Sequence, residues 1–130
     1  MAGDRFGLTS RFAVLEGLSY DGIARVPTAD GVRQMLKFSM SYLKLPGIVL
    51  TVTQGGHSLT TRDSSMLLTG HVELYTTRLT GELNGITVTF TSGRPPPVLH
   101  PNTTLLNVIA DQPFATADSM RATDSQVSTG

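Results

Sequence analysis

Apolar and hydroxyl-bearing residues alternate with a period of two over most of this chain, and a recurring Leu-x-Gly tripeptide punctuates the alternation. The tripeptide stands at Leu15-Glu16-Gly17, Leu45-Pro46-Gly47, Leu68-Thr69-Gly70, Leu79-Thr80-Gly81 and Leu83-Asn84-Gly85. Successive side chains of a pleated strand point to opposite faces, so this rhythm specifies strands with one greasy and one hydroxyl-coated side.

The sharpest local expectation is a hairpin. Arg78-Leu79-Thr80-Gly81-Glu82-Leu83 meets Ile86-Thr87-Val88-Thr89-Phe90-Thr91 through Asn84-Gly85, the preferred pair for a two-residue type I′ turn. That register sets Leu83 against Ile86, Gly81 against Val88 and Leu79 against Phe90 on one side. Glu82/Thr87, Thr80/Thr89 and Arg78/Thr91 fill the other. Gly81 leaves a gap in the apolar side, which another layer or a ligand could fill. A second hairpin joins Ile48–Gln54 to His57–Thr61 through Gly55-Gly56, with Val52 opposite Leu59 and Thr53 and Ser58 outside.

Other strands follow from the same period. Met66, Leu68, Gly70, Val72 and Leu74 share one side, as do Leu36, Phe38, Met40 and Tyr42. Arg11–Leu18 and Tyr20–Pro27 read as two more strands, and Asp30-Gly31 as a turn before a Val32–Leu45 strand. Helices compete at Val32–Leu45, through Met35, Leu36, Met40 and Leu43, and at Thr104–Ala110; aromatic and β-branched neighbours favour strand at both. The run 92–101, with Pro95-Pro96-Pro97, reads as a stiff extended connection over the surface. The expected fold is all-β, a mostly antiparallel β-sandwich or open jellyroll (β-taco) built from hairpins. One domain spans residues 1–115, and a flexible C-terminal tail, poor in apolar residues, spans 116–130.

Composition narrows the function. A chain of 130 residues can bury a core without staples. Charged residues make up 15%, against roughly 25% in ordinary domains, and the net charge is +0. A sparsely charged surface permits self-association and supplies no field for phosphate backbones, so nucleic acid is not an expected partner. Cysteine is absent, which removes disulfides, thiolate nucleophiles and cysteine-ligated zinc while leaving the compartment undetermined. Met1-Ala2-Gly3-Asp4-Arg5-Phe6 has neither a basic nor an apolar leader region, and no stretch reaches the roughly 18 apolar residues of a membrane span. An extracytoplasmic or envelope location is favoured if a signal segment was removed; Met1-Ala2-Gly3 could itself be foreign.

Residues with chemical potential are scattered. His57, His71 and His100 lack the i, i+4 spacing of a helical zinc motif, so no metal or cofactor is expected. Ser64 or Ser65 with His57 or His71 and Asp63 has the residue types of a triad but no Gly-x-Ser-x-Gly elbow. Glu16, Asp21, Glu73 and Glu82 stand singly rather than as paired carboxylates. Asn102-Thr103-Thr104 fits the glycosylation acceptor rule, relevant only to a eukaryotic secretory protein. These readings point to a protein that is not an enzyme. What remains is an apolar groove lined by Leu68, Val72, Leu74, Leu79, Leu83, Ile86, Val88 and Phe90, able to take a lipid or another apolar ligand. The alternative is a self-assembling structural subunit of a fibre, tube or shell, acting through uncharged exteriors and sheet edges.

The stretch Leu50-Thr51-Val52-Thr53-Gln54-Gly55-Gly56-His57-Ser58-Leu59, followed by Ser65-Met66-Leu67-Leu68-Thr69-Gly70-His71-Val72-Glu73-Leu74, resembles the repeats of the lipopolysaccharide-transport β-jellyroll family. The resemblance implies an extracytoplasmic β-taco whose apolar interior guides lipid and whose open ends stack on other jellyrolls. Ser39 to Asp118, especially Leu74-Tyr75-Thr76-Thr77, Phe90-Thr91 through Pro95-Pro96-Pro97, and Ala110-Asp111-Gln112-Pro113-Phe114, is also similar to uncharacterised actinobacterial cell-envelope proteins. Neither resemblance assigns a role to an individual residue.

Overall fold

A computed structural model describes residues 5–28, 31–54, 57–97, 99–123 and 126–129. Ten strands appear among them: β1 (Arg5–Glu16), β2 (Ser19–Thr28), β3 (Gly31–Gln54), β4 (His57–Thr76), β5 (Arg78–Leu83), β6 (Ile86–Thr91), β7 (Asn102–Asp111), β8 (Phe114–Thr116), β9 (Ser119–Thr123) and β10 (Gln126–Thr129). They form one antiparallel sheet in the order β10-β4-β3-β1-β7-β5-β6, with β2 also on β3 and β8 and β9 also on β4. The fold is all-β and open, as expected. Both segments with a helical alternative, Val32–Leu45 and Thr104–Ala110, are strand.

The long hairpin β3–β4 is the spine. Its paired register runs from Leu36↔Thr76 to Gln54↔His57, several times the five or six residues of an ordinary strand. One edge of β3 carries β2 and then β1, while one edge of β4 carries β8, β9 and β10 in series. Arg5 pairs with Thr53 and Thr129 with Leu59, so both described ends flank the β3–β4 turn. Beyond β1 the sheet continues through β7 and β5, and it doubles over so that its two halves share one interior. Leu36, Phe38, Leu43 and Ile48 of β3 and Leu68 and Val72 of β4 are buried in one cluster with Leu15 of β1, Leu79 of β5, and Leu105 and Val108 of β7. At about 1.5–3 kcal/mol for each fully buried large aliphatic side chain, this cluster is the main stabilising term.

The Leu-x-Gly repeat has a structural meaning. Leu15, Leu45, Leu68 and Leu79 are buried; the glycines two residues after the first three, at 17, 47 and 70, take positive φ, as does Gly85 after the half-buried Leu83, while Gly81 after Leu79 sits at a register shift against β7. Each unit is thus an inward anchor followed by a bend or bulge, after which the strand resumes in a new phase. The phase change corrects one expectation. The register shifts between Met40 and Tyr42, where Gly70 and His71 of β4 together oppose Ser41, so Leu36, Phe38 and Met40 face inward, but the next inward residues are Leu43 and Leu45. Tyr42 pairs with Thr69 on the other face.

The β5–β6 hairpin has the expected register at every pair, and the Thr80 and Thr89 hydroxyls lie 3.0 Å apart on its outer side. Gly55 and Gly56 lie outside the described residues, but the pairs Val52↔Leu59, Thr53↔Ser58 and Gln54↔His57 are those expected. There the hairpin overhangs the core, leaving Val52 and Leu59 exposed despite their apolar character. The corner from β4 to β5 is one residue long. Thr76, fully buried, donates its hydroxyl to the Asp111 carbonyl at 2.6 Å; Thr77 N–H donates to the same carbonyl at 3.0 Å, and Arg78 pairs with the Asp111 carboxylate at 3.0 Å. These contacts fasten the β4 end to the β7 end and close the doubled sheet on that side.

Two further segments differ from expectation. The proline connection leads from β6 to β7, which flank β5, and it does more than run over the surface: Pro96 is buried and Leu99 packs against the core. The run from 116, expected as a loose tail, pairs with β4 as the end of β8, then β9 and β10. Its apolar content is low because an edge strand can be held by its ladder alone.

Candidate functional site

The apolar face proposed from the sequence is mostly filled. Leu68, Val72 and Leu79 are core residues, exposed by 1%, 0% and 5%. Leu74, Leu83 and Phe90 are half-buried and packed on that core; Val88 is half-buried, and Ile86, beside the turn, is 66% exposed. The gap at Gly81 is occupied by a neighbouring strand. A Cβ placed there would stand 3.3 Å from the Leu105 Cβ, so β7 supplies the missing volume. Between Leu74, Leu79, Leu105 and Val108 only about 30 Å³ remains open, room for a water at most, and its apolar lining offers that water no partner.

The open space lies one step along the sheet. A cleft of about 260 Å³ runs between β1, the middle of β3–β4 and the C-terminal strands, and its lining is almost wholly apolar. Its floor is Leu43, Leu45 and Leu50 of β3 with Met66, Leu68 and Leu74 of β4, two of which, Leu68 and Leu74, belong to the expected groove. Leu8 closes one side, and Pro113, Ala115 and Met120 form the wall opposite. The wall follows from register: Ala115 pairs with Leu74 and Met120 with Leu68, so both project to the same face as those inward leucines. Phe114 also contributes to the lining, and its ring stacks on Tyr75 at 4.8 Å, which anchors β8. Met120 is 52% exposed at the rim.

An engineered apolar cavity of about 150 Å³ accepts benzene, and pockets for larger organic ligands begin near roughly 300 Å³. The cleft therefore matches a ring-sized molecule or a short acyl segment. Among the described residues its lining has no charged side chain to hold a headgroup.

On the bulge between β3 and β4 lies a wider polar hollow of about 660 Å³, with Gly17, Ser39, Ser41, His71 and Glu73 on its lining. Its polar groups are engaged with one another. His71 Nδ1 is 2.8 Å from Asp118 Oδ2, Lys37 Nζ is 3.3 Å from Glu73 Oε2, Ser39 donates to Asp21, and Ser41 donates to the Glu16 carbonyl at 3.1 Å. The Asp118 contact and charge raise the His71 pKa above its ordinary 6.5, and Glu73 raises that of Lys37.

Two of the candidate chemical residues lie far apart. Ser65 and His71 are on one strand six residues apart, about 20 Å at the strand rise, far beyond hydrogen-bond reach. The side chains of Asp63 and Ser64 lie outside the described residues. His71 instead meets Asp118, a carboxylate distant in sequence that no spacing rule selects. Glu82 accepts from Asn107, and among the described residues no three His, Cys, Asp or Glu side chains gather as a metal site.

No protein-family model matches the chain, and no curated protein and no solved structure matches it. Functional inference rests on the cleft itself.

Proposed function

We propose that this protein is a non-catalytic binding module that takes a small apolar ligand, an acyl segment or a molecule of ring size, in the cleft between the β3–β4 spine and the C-terminal strands. The observation that carries the reading is an apolar opening of about 260 Å³ beside a core that is otherwise filled. Natural interiors pack to roughly 0.75 density, so an unfilled apolar cleft within one is a binding feature first. An envelope setting and a lipid ligand are supported by the resemblance of residues 50–59 and 65–74 to lipopolysaccharide-transport repeats.

Titration of the purified protein with N-phenyl-1-naphthylamine, followed by competition with straight-chain fatty acids of increasing length, tests it. Saturable one-to-one binding displaced by the acids is the expected result. Absence of saturable binding for the probe and for every acid overturns the reading.

The second reading, a self-assembling subunit, is favoured by a separate observation. Among the described residues, β2 has no strand partner besides β3 and β6 none besides β5, while Leu106 and Ile109 are 48% and 45% exposed on β7. Unpaired edges and exposed apolar residues both promote association between copies. Light scattering separates the cases: a stable monomer at high concentration removes assembly.

A further inference from the structure

The wall of the cleft is joined to the sheet by two short, separate ladders. β8 pairs with β4 at residues 73–75 and β9 at residues 65–69, so the ladder breaks between them, where the chain bends at Ala117-Asp118. At that break the Asp118 N–H donates to the Gly70 carbonyl at 2.8 Å, and the Asp118 carboxylate receives His71 Nδ1 at 2.8 Å. Both partners belong to the β4 bulge, where Gly70 has φ +76° and His71 φ +47°.

The bulge is shaped for this contact. A Cβ on Gly70 would stand 2.5 Å from Asp118 Oδ2 and 2.9 Å from the Asp118 Cβ, so only glycine lets Asp118 approach. His71 holds a left-handed backbone that non-glycine residues seldom adopt, and the bulge turns its side chain out of the sheet toward the bend. The imidazole–carboxylate pair spans the one gap between the two strands that carry Ala115 and Met120.

We propose that His71 and Asp118 form a latch that fixes the outer wall of the apolar cleft, and that the wall loosens as pH rises. The inference rests on the cleft as the binding site for its consequence, ligand entry, but the latch itself is a property of the wall. Asp118 is the charged group that faces His71 from the wall. On β4 the neighbouring Glu73 is engaged by Lys37 of β3, and Asp21 of β2 by Ser39, which leaves the His71–Asp118 pair as the titrating contact. A raised imidazole pKa places the charged pair at full strength below the ordinary value of 6.5 and removes it as pH climbs through the raised value. Above that point only a hydrogen bond from the neutral imidazole to the carboxylate remains. Both side chains are largely in water, so the effect is modest, about two- to fivefold in the opening equilibrium.

Hydrogen exchange of the full chain tests the latch without any ligand. Peptides covering residues 112–123 are followed across roughly pH 5.5 to 8.5, a range centred on imidazole titration, with correction for the intrinsic exchange rate. The chains compared are wild type, His71→Gln and Asp118→Asn. Wild-type protection in these peptides should fall about two- to fivefold with rising pH, and both variants should be low and flat; peptides from β3 report that the core is intact. Protection that is independent of pH in wild type, or unchanged in the variants, overturns the proposal. Naphthylamine titration of the same samples keeps the two readings apart. If the probe never binds while exchange follows pH as expected, the latch stands and the binding reading falls; if the probe binds while exchange is flat, the latch alone falls.

Discussion

The β5–β6 hairpin and the β8–β9 wall are both short pieces flanking the doubled sheet, and both present side chains to its interior, yet one is packed solid and the other borders a cleft. The hairpin opposes large with small. Gly81 receives Leu105, and Leu79 packs with Phe90 and the core. The wall sets Ala115 against Leu74 and a half-exposed Met120 against Leu68, too little volume to reach the floor. Whether a strand face is filled depends less on its own hydrophobicity than on what the facing strand contributes in volume.

Truncation breaks this comparison most forcefully on the filled side. Leu79→Ala should cost about 2–5 kcal/mol in urea unfolding, because rigid neighbours leave the cavity open; a loss under about 1 kcal/mol would mean that the hairpin packs no better than the wall. Thr76→Val tests the corner that holds the halves together. The Asp111 carbonyl would lose its buried hydroxyl donor but keep Thr77, for an expected cost of about 0.5–1.5 kcal/mol. The third change sharpens the contrast by making the wall resemble the hairpin. Ala115→Leu should fill part of the cleft, raise stability by about 1 kcal/mol and abolish naphthylamine binding. Loss of stability there would mean that the cleft has no room to spare.

The legible part of the fold was what short-range chemistry decides. Asn84-Gly85 between alternating segments specifies a turn whose register propagates to every pair of β5–β6, because a two-residue loop allows no slip. The interior was legible as residue types, but its phase was not. A strand read at strict period two puts Tyr42 with Phe38 and Met40, whereas the bulge at Gly70-His71 of the facing strand rotates it out. The tail was illegible for a different reason. β9 and β10 are held mainly by backbone ladders to β4, a long-range pairing that leaves almost no mark in side-chain hydrophobicity. The candidate site inherits both difficulties. Leu68 and Leu74 are legible, and Met66 falls on their side of the strand at period two, but Leu43 and Leu45 are hidden by the phase change, and Ala115 and Met120 by the low apolar content of their strands.

The long β3–β4 ribbon also brings distant parts of the sequence to one pole. Residues 5 and 129 sit on either side of the same turn, three strand spacings apart in the order β10-β4-β3-β1, about 14 Å at ordinary sheet spacing. A bridging peptide of about four to six residues spans that distance. Joining residues 5 and 129 through such a peptide and cutting at Asn84-Gly85 would therefore give a permuted chain with the same pairings, every described strand intact.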